Sequence, residues 1–323
     1  MRSLFRSALF AAMLLACLAA QGQSGYPNRT IHMVIPLAPG SAVDNAARIL
    51  AQKMAVDIGQ AIVTENIPGS AGLIGADRVA KAAPDGYTIG GFNDSILTMV
   101  PNIYPKVPWN ALTDFTPISL AATVEWGLIV KDDSPYKTVA DFIAAAKAAP
   151  GKLNYSSGGI GSPQHIAMAL FTTRTGINVT HVPYKGATPG AIAVAAGEVD
   201  AGFQGLATAL SLIQSHRLRL LAVSTSKRLA QFPNVPTVDE AGVKDFFFNS
   251  WFALVAPAGT PPAIIAKLND EMQKALQDPT VRAKFDSYGL TIRGSSAREL
   301  GVATKAQFEM YRQLIKANNI TAD

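Results

Sequence analysis

The sequence IHMVIPLAPGSAVDNAARILAQKMAVDI (residues 31–58) largely decides the fold class. Its first part, residues 31–36, is apolar and β-branched and predicts a buried strand. Residues 41–58 predict the helix behind that strand, since their apolar side chains recur with helical spacing. The stripe consists of Val43, Ala46, Ala47, Leu50 and Met54. A strand joined by a tight loop to a helix is typical of α/β folds with a largely parallel sheet.

The same alternation of strands and helices continues along the chain. Further strands are predicted at 61–65, 86–92, 127–130, 153–155, 178–182, 201–203, 218–224 and 251–255. Further helices are predicted at 71–82, 138–149, 162–175, 188–196, 261–276 and 296–317. The length of 323 residues is about twice that of a common domain, so we expect two α/β lobes. Lobe 1 is predicted to comprise 23–123 plus 250–323, and lobe 2 to comprise 124–249.

Composition excludes several classes of protein. With 49% hydrophobic and 16% charged residues, the chain can bury a large core, which excludes a disordered protein. The single Cys excludes an intramolecular disulfide. The formal net charge of +5 falls to +3 without Arg2 and Arg6 of the N-terminal segment. This weak, scattered charge predicts no nucleic-acid partner.

Residues 1–22 have the pattern of a signal peptide for export to the periplasm. Two arginines precede an uncharged apolar stretch of about 14 residues, whereas a membrane span needs about 20. A membrane anchor is therefore the less favoured interpretation. The sequence LLAC (14–17) also resembles a bacterial lipobox, which would place a lipid on Cys17. Because the apolar run continues to Ala20, cleavage near residues 20–22 is favoured over lipid anchoring.

Two predicted loops between a strand and a helix are suited to binding an anion. The first is PLAPGSAVD (36–44) and the second is YSSGGIGSPQH (155–165). Ser41 and Ser162 are natural helix caps, and helix N-termini present unpaired N–H groups to ligands. Neither loop contains a lysine or arginine, so a carboxylate would be bound by N–H and O–H groups and by the helix dipoles. Both loops could instead be ordinary turns with good caps.

The two loops would form a clamp if they belonged to different lobes and faced the same cleft. Only a closed arrangement would then make both sets of contacts, and ligand binding would favour closure. No motif of a hydrolase, metalloprotease or nucleotide-binding enzyme is present, so no enzyme activity and no cofactor are predicted. The four histidines, His32, His165, His181 and His216, lack the spacing of metal ligands. His165 could contact an anion or satisfy the helix start.

The chain resembles the Bug-type extracytoplasmic solute-binding receptors of tripartite tricarboxylate transporters. The resemblance covers nearly the whole chain after the leader. It is carried by these motifs, in order: VIPLAPGSAVD (34–44), ENIPGSAG (65–72), APDGYT (83–88), DFTP (114–117), PGKLNY (150–155), HVPYKG (181–186), PTVDEAG (236–242) and APAGTP (256–261).

The resemblance implies a two-lobed type II periplasmic-binding-protein fold with two crossing strands between the lobes. It also implies a carboxylate ligand, integral membrane subunits of a transporter as partner, and no catalysis; we expect a monomer. From the loops and the resemblance together, the expected substrate-binding residues are Pro39, Gly40, Ser41, Ala42, Val43, Asp44, Asn93, Ser95, Ser157, Gly158, Gly159, Gly161, Ser162, His165, Tyr184 and Gln204.

Two departures from the family pattern bear on the ligand. Ser41 stands where the family usually has a second glycine, and Ala42-Val43 makes the first loop more apolar. Gln204 stands where an acidic residue is frequent, which argues against an amino acid. The candidate aromatic walls are Phe92, Trp126, Tyr184 and Phe203, although such residues more often belong to a core. We therefore expect an apolar or aromatic mono- or dicarboxylate; a ligand-binding sensor and, less favoured, a periplasmic hydrolase are the alternatives.

Overall fold

The described part of the chain forms two β-sheets that are covered by helices. The computed structural model describes residues 25–318 and 320–321. The predicted signal peptide and its Cys17 lie outside these residues. None of the helices within them combines the length and hydropathy that crossing a bilayer requires.

Eleven strands are found in the described residues. They are β1 (Ile31–Ile35), β2 (Ile62–Asn66), β3 (Thr88–Asn93), β4 (Phe115–Val124), β5 (Trp126–Lys131), β6 (Asn154–Ser157), β7 (Thr180–Pro183), β8 (Ala201–Gly205), β9 (Leu218–Val223), β10 (Ser250–Pro257) and β11 (Leu290–Ile292). The first sheet has the order β11-β4-β10-β3-β1-β2 and the second has the order β7-β6-β8-β5-β9. In each sheet, parallel strands are joined to antiparallel ones: β1, β2 and β3 are parallel, and β10 runs antiparallel to β3 and β4.

Ten α-helices of the described residues pack on these sheets. They are α1 (Ala42–Ile58), α2 (Leu73–Ala80), α3 (Val100–Ile103), α4 (Val139–Ala148), α5 (Pro163–Thr175), α6 (Ala187–Ala196), α7 (Leu206–Gln214), α8 (Pro262–Gln277), α9 (Pro279–Ser287) and α10 (Ala297–Ala317). A 3₁₀ turn at Ser70–Gly72 precedes α2, and a π-helical turn at Ser95–Met99 precedes α3.

The structure contains elements that the sequence pattern did not predict. They are β4, β11, α3, α7, α9 and the π-helical turn. The predicted helix at 71–82 is shorter, because Ser70 and Ala71 have positive φ angles of 46° and 53° and α2 begins only at Leu73. The β1–α1 unit forms as predicted: β1 lies inside its sheet between β3 and the edge strand β2, and Ser41 caps α1.

The chain passes twice between the two sheets. Glu125 alone separates β4 of the first sheet from β5 of the second, and the chain returns through residues 224–249. The two passages contact each other: the Ser224 hydroxyl donates to the carbonyl of Trp126, the residue after Glu125, at 3.1 Å, and the Trp126 and Phe248 rings meet edge to face with centroids 5.4 Å apart. We call the part of the molecule around the first sheet the first lobe and that around the second sheet the second lobe.

Candidate functional site

A cavity of about 210 Å³ lies between the two lobes. The first lobe contributes the loop before α1, the turn at 68–72 and the ends of β3 and β10. The second lobe contributes the loop before α5, residues 183–187 and the start of α7. Both predicted anion loops therefore reach the same cavity, from opposite lobes.

Nine of the sixteen predicted site residues line this cavity. They are Ser41, Ala42, Val43, Asn93, Ser95, Gly158, Gly159, Ser162 and Tyr184. The other seven do not line it. They are Pro39, Gly40, Asp44, Ser157, Gly161, His165 and Gln204. Pro39 and Gly40 are exposed, whereas Asp44, His165 and Gln204 lie behind the cavity wall, where hydrogen bonds hold their side chains.

Asp44 organises the first loop from behind the cavity. Its side chain is 4% exposed. One carboxylate oxygen accepts from the Gly40 amide at 2.9 Å, and the other accepts from Arg48 Nε at 3.0 Å and from Asn66 Nδ2 at 2.9 Å. Because these donors contact both oxygens, Asp44 stabilises the loop from this position, and its contact with a ligand stays a prediction. Pro39 is turned to the second lobe, where its carbonyl accepts from Thr188 Oγ1 at 2.8 Å.

The N-terminus of α1 presents donors to the cavity. Ser41 Oγ accepts from the Asp44 amide at 3.3 Å, which leaves the hydroxyl proton of Ser41 without an acceptor among the described residues. The Val43 amide likewise has no acceptor there, because it lies in the first turn of the helix. The Ala42 amide donates at 2.9 Å to Thr208 Oγ1, which belongs to the second lobe and also lines the cavity.

The N-terminus of α5 is built in the same way. Ser162 Oγ accepts from the His165 amide at 3.4 Å, Pro163 has no N–H, and the Gln164 amide has no acceptor in the part of the chain described. The hydroxyl proton of Ser162 is unused there as well. Two helix N-termini on opposed lobes thus aim unused N–H and O–H groups into one small space, an arrangement suited to binding a carboxylate.

His165 supports the second loop and does not reach the cavity. Its Nδ1 accepts from the Gly161 amide at 3.2 Å, and its ring stacks on His181 with centroids 4.4 Å apart. His181 stacks in turn on Tyr155 at 4.8 Å and hydrogen-bonds Ser157 Oγ at 2.6 Å. Burial lowers the pKa of both histidines to about 4, and the neighbouring His181 adds to the effect on His165. The neutral rings therefore hold Ser157 and Gly161 in place behind the loop.

Gln204 lies one layer behind the cavity wall. It is fully buried, and its Oε1 accepts at 3.3 Å from Nε2 of Gln164, which does line the cavity. Nε2 of Gln204 and Oγ of the adjacent Ser156 have no partner among the described side chains and backbone. Gln204 can therefore affect a ligand only by orienting Gln164.

The four candidate aromatic walls differ in position. Trp126 and Tyr184 line the cavity, whereas Phe92 and Phe203 are fully buried in the core. The Tyr184 hydroxyl contacts Glu198 Oε2 at 3.3 Å, so its ring rather than its hydroxyl forms the wall.

Sequence reasoning missed several lining residues. They are Tyr104, Thr208, Ser250, Lys185 and the turn Pro68–Gly72. Lys185 is exposed, so a cation lies at the edge of the cavity although neither anion loop contains one. Its place in the motif HVPYKG (181–186) was the available signal. Thr208 and Ser250 had no local signal, since only the folding of distant segments brings them to the site.

Direct contacts join the lobes around the cavity. Asn45 Nδ2 donates to the Ala207 carbonyl at 3.2 Å, and the Tyr104 hydroxyl donates to the Ile160 carbonyl at 3.2 Å. Gly186 of the second lobe approaches Ala38 so closely that an added Cβ would lie 2.6 Å from the Ala38 Cβ. Gly186 also has a φ of +124°, which few other residues adopt. The structure is therefore closed over the cavity.

A family model described as tripartite tricarboxylate transporter family receptor matches residues 46–320. The chain belongs to this family. The receptor is 37% identical over 313 residues to a UPF0065 protein from the tcbD-tcbE intergenic region of Pseudomonas sp. strain P51, covering 97% of the chain and 93% of that relative. It is 36% identical to protein BugT of Bordetella pertussis, covering 82% of each.

Solved structures of other receptors share the fold. The periplasmic binding protein BugD superposes with a TM-score of 0.87 at 30% identity, covering 92% of the receptor and 99% of BugD. A protein of R. palustris solved with adipate gives 0.89 at 32% identity, covering 92% and 99%. MatC of Rhodopseudomonas palustris with bound malate gives 0.86 at 29%, covering 90% and 100%. These likenesses confirm the predicted two-lobed fold and identify the chain as a solute-binding receptor rather than an enzyme.

Proposed function

We propose that the receptor captures a small organic dicarboxylate between its lobes and delivers it to the integral membrane subunits of a tripartite transporter. The observation that carries the proposal is the pair of helix N-termini at one cavity. Ser41 and Val43 on one lobe, and Ser162 and Gln164 on the other, have unused donors there. A carboxylate that bridges these donors would be bound only when the lobes are closed.

The size and the walls of the cavity support a short ligand with an apolar middle. Its volume of about 210 Å³ is below the roughly 300–1,000 Å³ of sites for drug-sized ligands. Leu37, Val124 and Trp126 provide apolar and aromatic walls, while Asn93 and Ser95 provide polar groups near the end of β3. The structural relatives solved with adipate and malate contain dicarboxylates of suitable size.

The available hydrogen bonds would supply much of the free energy that micromolar capture requires. Micromolar binding requires about −8 kcal/mol. Bonds to a charged group contribute roughly 1.5–3 kcal/mol each. Four such bonds would contribute about 6–12 kcal/mol, and burial of the apolar middle of the ligand would add to this and help to offset lobe ordering and ligand immobilisation.

Transport requires a receptor that is exported and that opens and closes around its ligand. The lobes, predicted as 23–123 plus 250–323 and 124–249, would rotate about the two passages near residues 124–126 and 248–250. Residues 1–22 would direct export to the periplasm and be removed together with Cys17, so the exported receptor would carry no lipid there. It would act as a monomer. The membrane subunits would then receive the closed, loaded receptor.

Isothermal titration calorimetry with a panel of acids tests the binding step. We expect adipate and malate to bind, and glutamate to bind more weakly because the described residues that line the cavity include no acidic side chain to pair with its ammonium group. Butyrate serves as the monocarboxylate control. Absence of binding by every dicarboxylate would contradict the proposal. Uptake of the bound acid by cells with and without the receptor separates transport from a sensor, since only a transport receptor changes the uptake rate.

A further inference from the structure

A buried carboxyl group lies directly behind the cavity wall. Asp94 is fully buried, and its two neighbours in the chain, Asn93 and Ser95, both line the cavity. One oxygen of Asp94 accepts from the hydroxyl of Ser250, which also lines the cavity. The other oxygen has no hydrogen-bond partner of normal geometry among the described residues. Asp94 is thus separated from a ligand by a single hydroxyl group.

Among the described residues, no cation contributes to the ionisation of Asp94. On β10 it faces the Ser250 hydroxyl and the Trp251 amide, and at the π-helical turn it faces the Ser95 amide. On α10 the buried Tyr311 is the titratable group that interacts with it, and the pKa of Tyr311 is raised by burial and by Asp94. Burial raises the pKa of Asp94 to about 7, since the hydroxyl and the amides offset the desolvation only in part. Its carboxyl group can therefore change protonation state in the physiological range.

The protonation state of Asp94 determines what Ser250 offers to the cavity. A hydroxyl group has one proton and two lone pairs. When Asp94 is ionised, Ser250 donates that proton to it, and only lone pairs face the cavity, where they repel a carboxylate. When Asp94 is protonated, it donates to Ser250, and the Ser250 proton becomes free to donate to the ligand. Protonation also removes a negative charge that would otherwise lie next to the ligand in a low-dielectric site.

We propose that Asp94 and Ser250 form a proton-coupled subsite for the second carboxylate of the ligand, so that Asp94 takes up one proton from solvent when a dicarboxylate binds. This inference rests on the proposed function for the ligand class. Asn93 also lines the cavity, next to this subsite. Its Oδ1 accepts from Ser95 Oγ at 3.0 Å, which fixes the orientation of the side-chain amide and turns its N–H donors away from Ser95. A monocarboxylate leaves the subsite empty and needs no proton.

Calorimetry with adipate tests the coupling. Titrations at pH 8 in phosphate, HEPES and Tris give the number of protons taken up, because these buffers differ in ionisation enthalpy. We expect about one proton per adipate at pH 8, about half a proton at pH 7, and an affinity that decreases about tenfold per pH unit above 7. Butyrate serves as the control without proton uptake. His165 and His181, whose pKa is held at about 4, stay neutral over this range.

Variants separate the proton site from the hydroxyl. Asp94→Asn keeps a donor to Ser250 at every pH, so we expect adipate binding without proton uptake and without pH dependence above pH 7. Ser250→Ala should weaken adipate binding about tenfold at pH 6 and affect butyrate little. In protein labelled with ¹³C-aspartate, infrared difference spectra should show a protonated aspartyl carbonyl when adipate is added at pH 8, and this band should be missing in Asp94→Asn.

Two results would overturn the inference in different ways. If wild type binds adipate at pH 8 without proton uptake and Asp94→Asn has the same pH profile, the proton-coupled subsite is wrong while the proposed function stands. If no dicarboxylate binds between pH 5.5 and 8.5, the proposed function fails and this inference fails with it.

Discussion

Lobe closure depends on Gly186, and Gly186→Ala should weaken ligand binding. An added Cβ would lie 2.6 Å from the Ala38 Cβ of the other lobe, about 1 Å inside ordinary contact distance. If the lobes separate by that amount, the Ala42–Thr208 and Thr188–Pro39 hydrogen bonds, now 2.9 and 2.8 Å, lengthen beyond normal geometry. Each bond contributes about 0.5–1.5 kcal/mol, so the loss is about 1–3 kcal/mol, or roughly 5- to 150-fold in Kd.

The substitution also strains the backbone, and this effect needs its own control. Gly186 has a φ of +124°, and forcing alanine into such a conformation costs about 1–3 kcal/mol of folding stability. Gly242→Ala imposes a comparable strain at φ +103°, but its Cβ meets nothing within 4 Å. We expect both variants to melt at lower temperature, and only Gly186→Ala to bind adipate more weakly by calorimetry.

A second substitution tests whether the clash itself is responsible. Ala38→Gly removes the atom that the new Cβ would meet, so the double variant Ala38→Gly, Gly186→Ala should recover most of the lost affinity but not the lost stability. Wild-type affinity in Gly186→Ala, or no recovery in the double variant, would refute the reasoning that the closed lobes meet at this point.

Three further predictions concern hydroxyl and titratable groups. Ser41→Ala and Ser162→Ala should each weaken adipate binding by about 1–2 kcal/mol in calorimetry. The control Thr138→Ala removes an exposed helix cap outside the cavity and should lower only the stability of the protein. Equal affinity in all three variants would contradict the clamp. Asp94 has a pKa of about 7, against 3.8 when unperturbed, so the free energy of unfolding decreases as pH rises from about 4 to 7. Asp94→Asn should remove this pH dependence and add up to roughly 4 kcal/mol to the free energy of unfolding at pH 8, as measured by urea unfolding. An unchanged pH dependence would show that Asp94 is not the titrating group. His181 has a pKa of about 4, against 6.5 when unperturbed, so stability is lost as pH falls from 6.5 through 4. His181→Phe keeps a ring in the stack and should reduce that loss. If the free energy of unfolding in urea decreases with acid as much in the variant as in wild type, the neutral stack is contradicted.

The parts of the fold that follow from local pattern could be predicted from the sequence. The β1–α1 unit formed as expected because its apolar period, its turn and its Ser41 cap are all encoded within 28 residues. Strand β4 was missed: it contains Pro117 and Ser119, and its partner β10 lies more than a hundred residues away. The pairing of such distant segments, not a local preference, stabilises β4.

The residues of the candidate site likewise fall into those that local sequence predicts and those that depend on distant segments. The capping serines could be assigned to the cavity because a cap and its helix are neighbours in sequence. Thr208 could not, since its contact with Ala42 joins residues 166 positions apart. His165 was expected near the ligand, but it stacks on His181, whose position depends on the pairing of β6 with β7.

In the receptor as proposed, two opposed helix N-termini bind one carboxylate of the ligand. A crystal structure of the receptor with adipate tests this most directly. We predict carboxylate oxygens within about 3.2 Å of the Ser41 and Ser162 hydroxyls and of the Val43 and Gln164 amide nitrogens. Adipate bound elsewhere, or a carboxylate paired with Lys185 while these four donors bind only water, would contradict the claim.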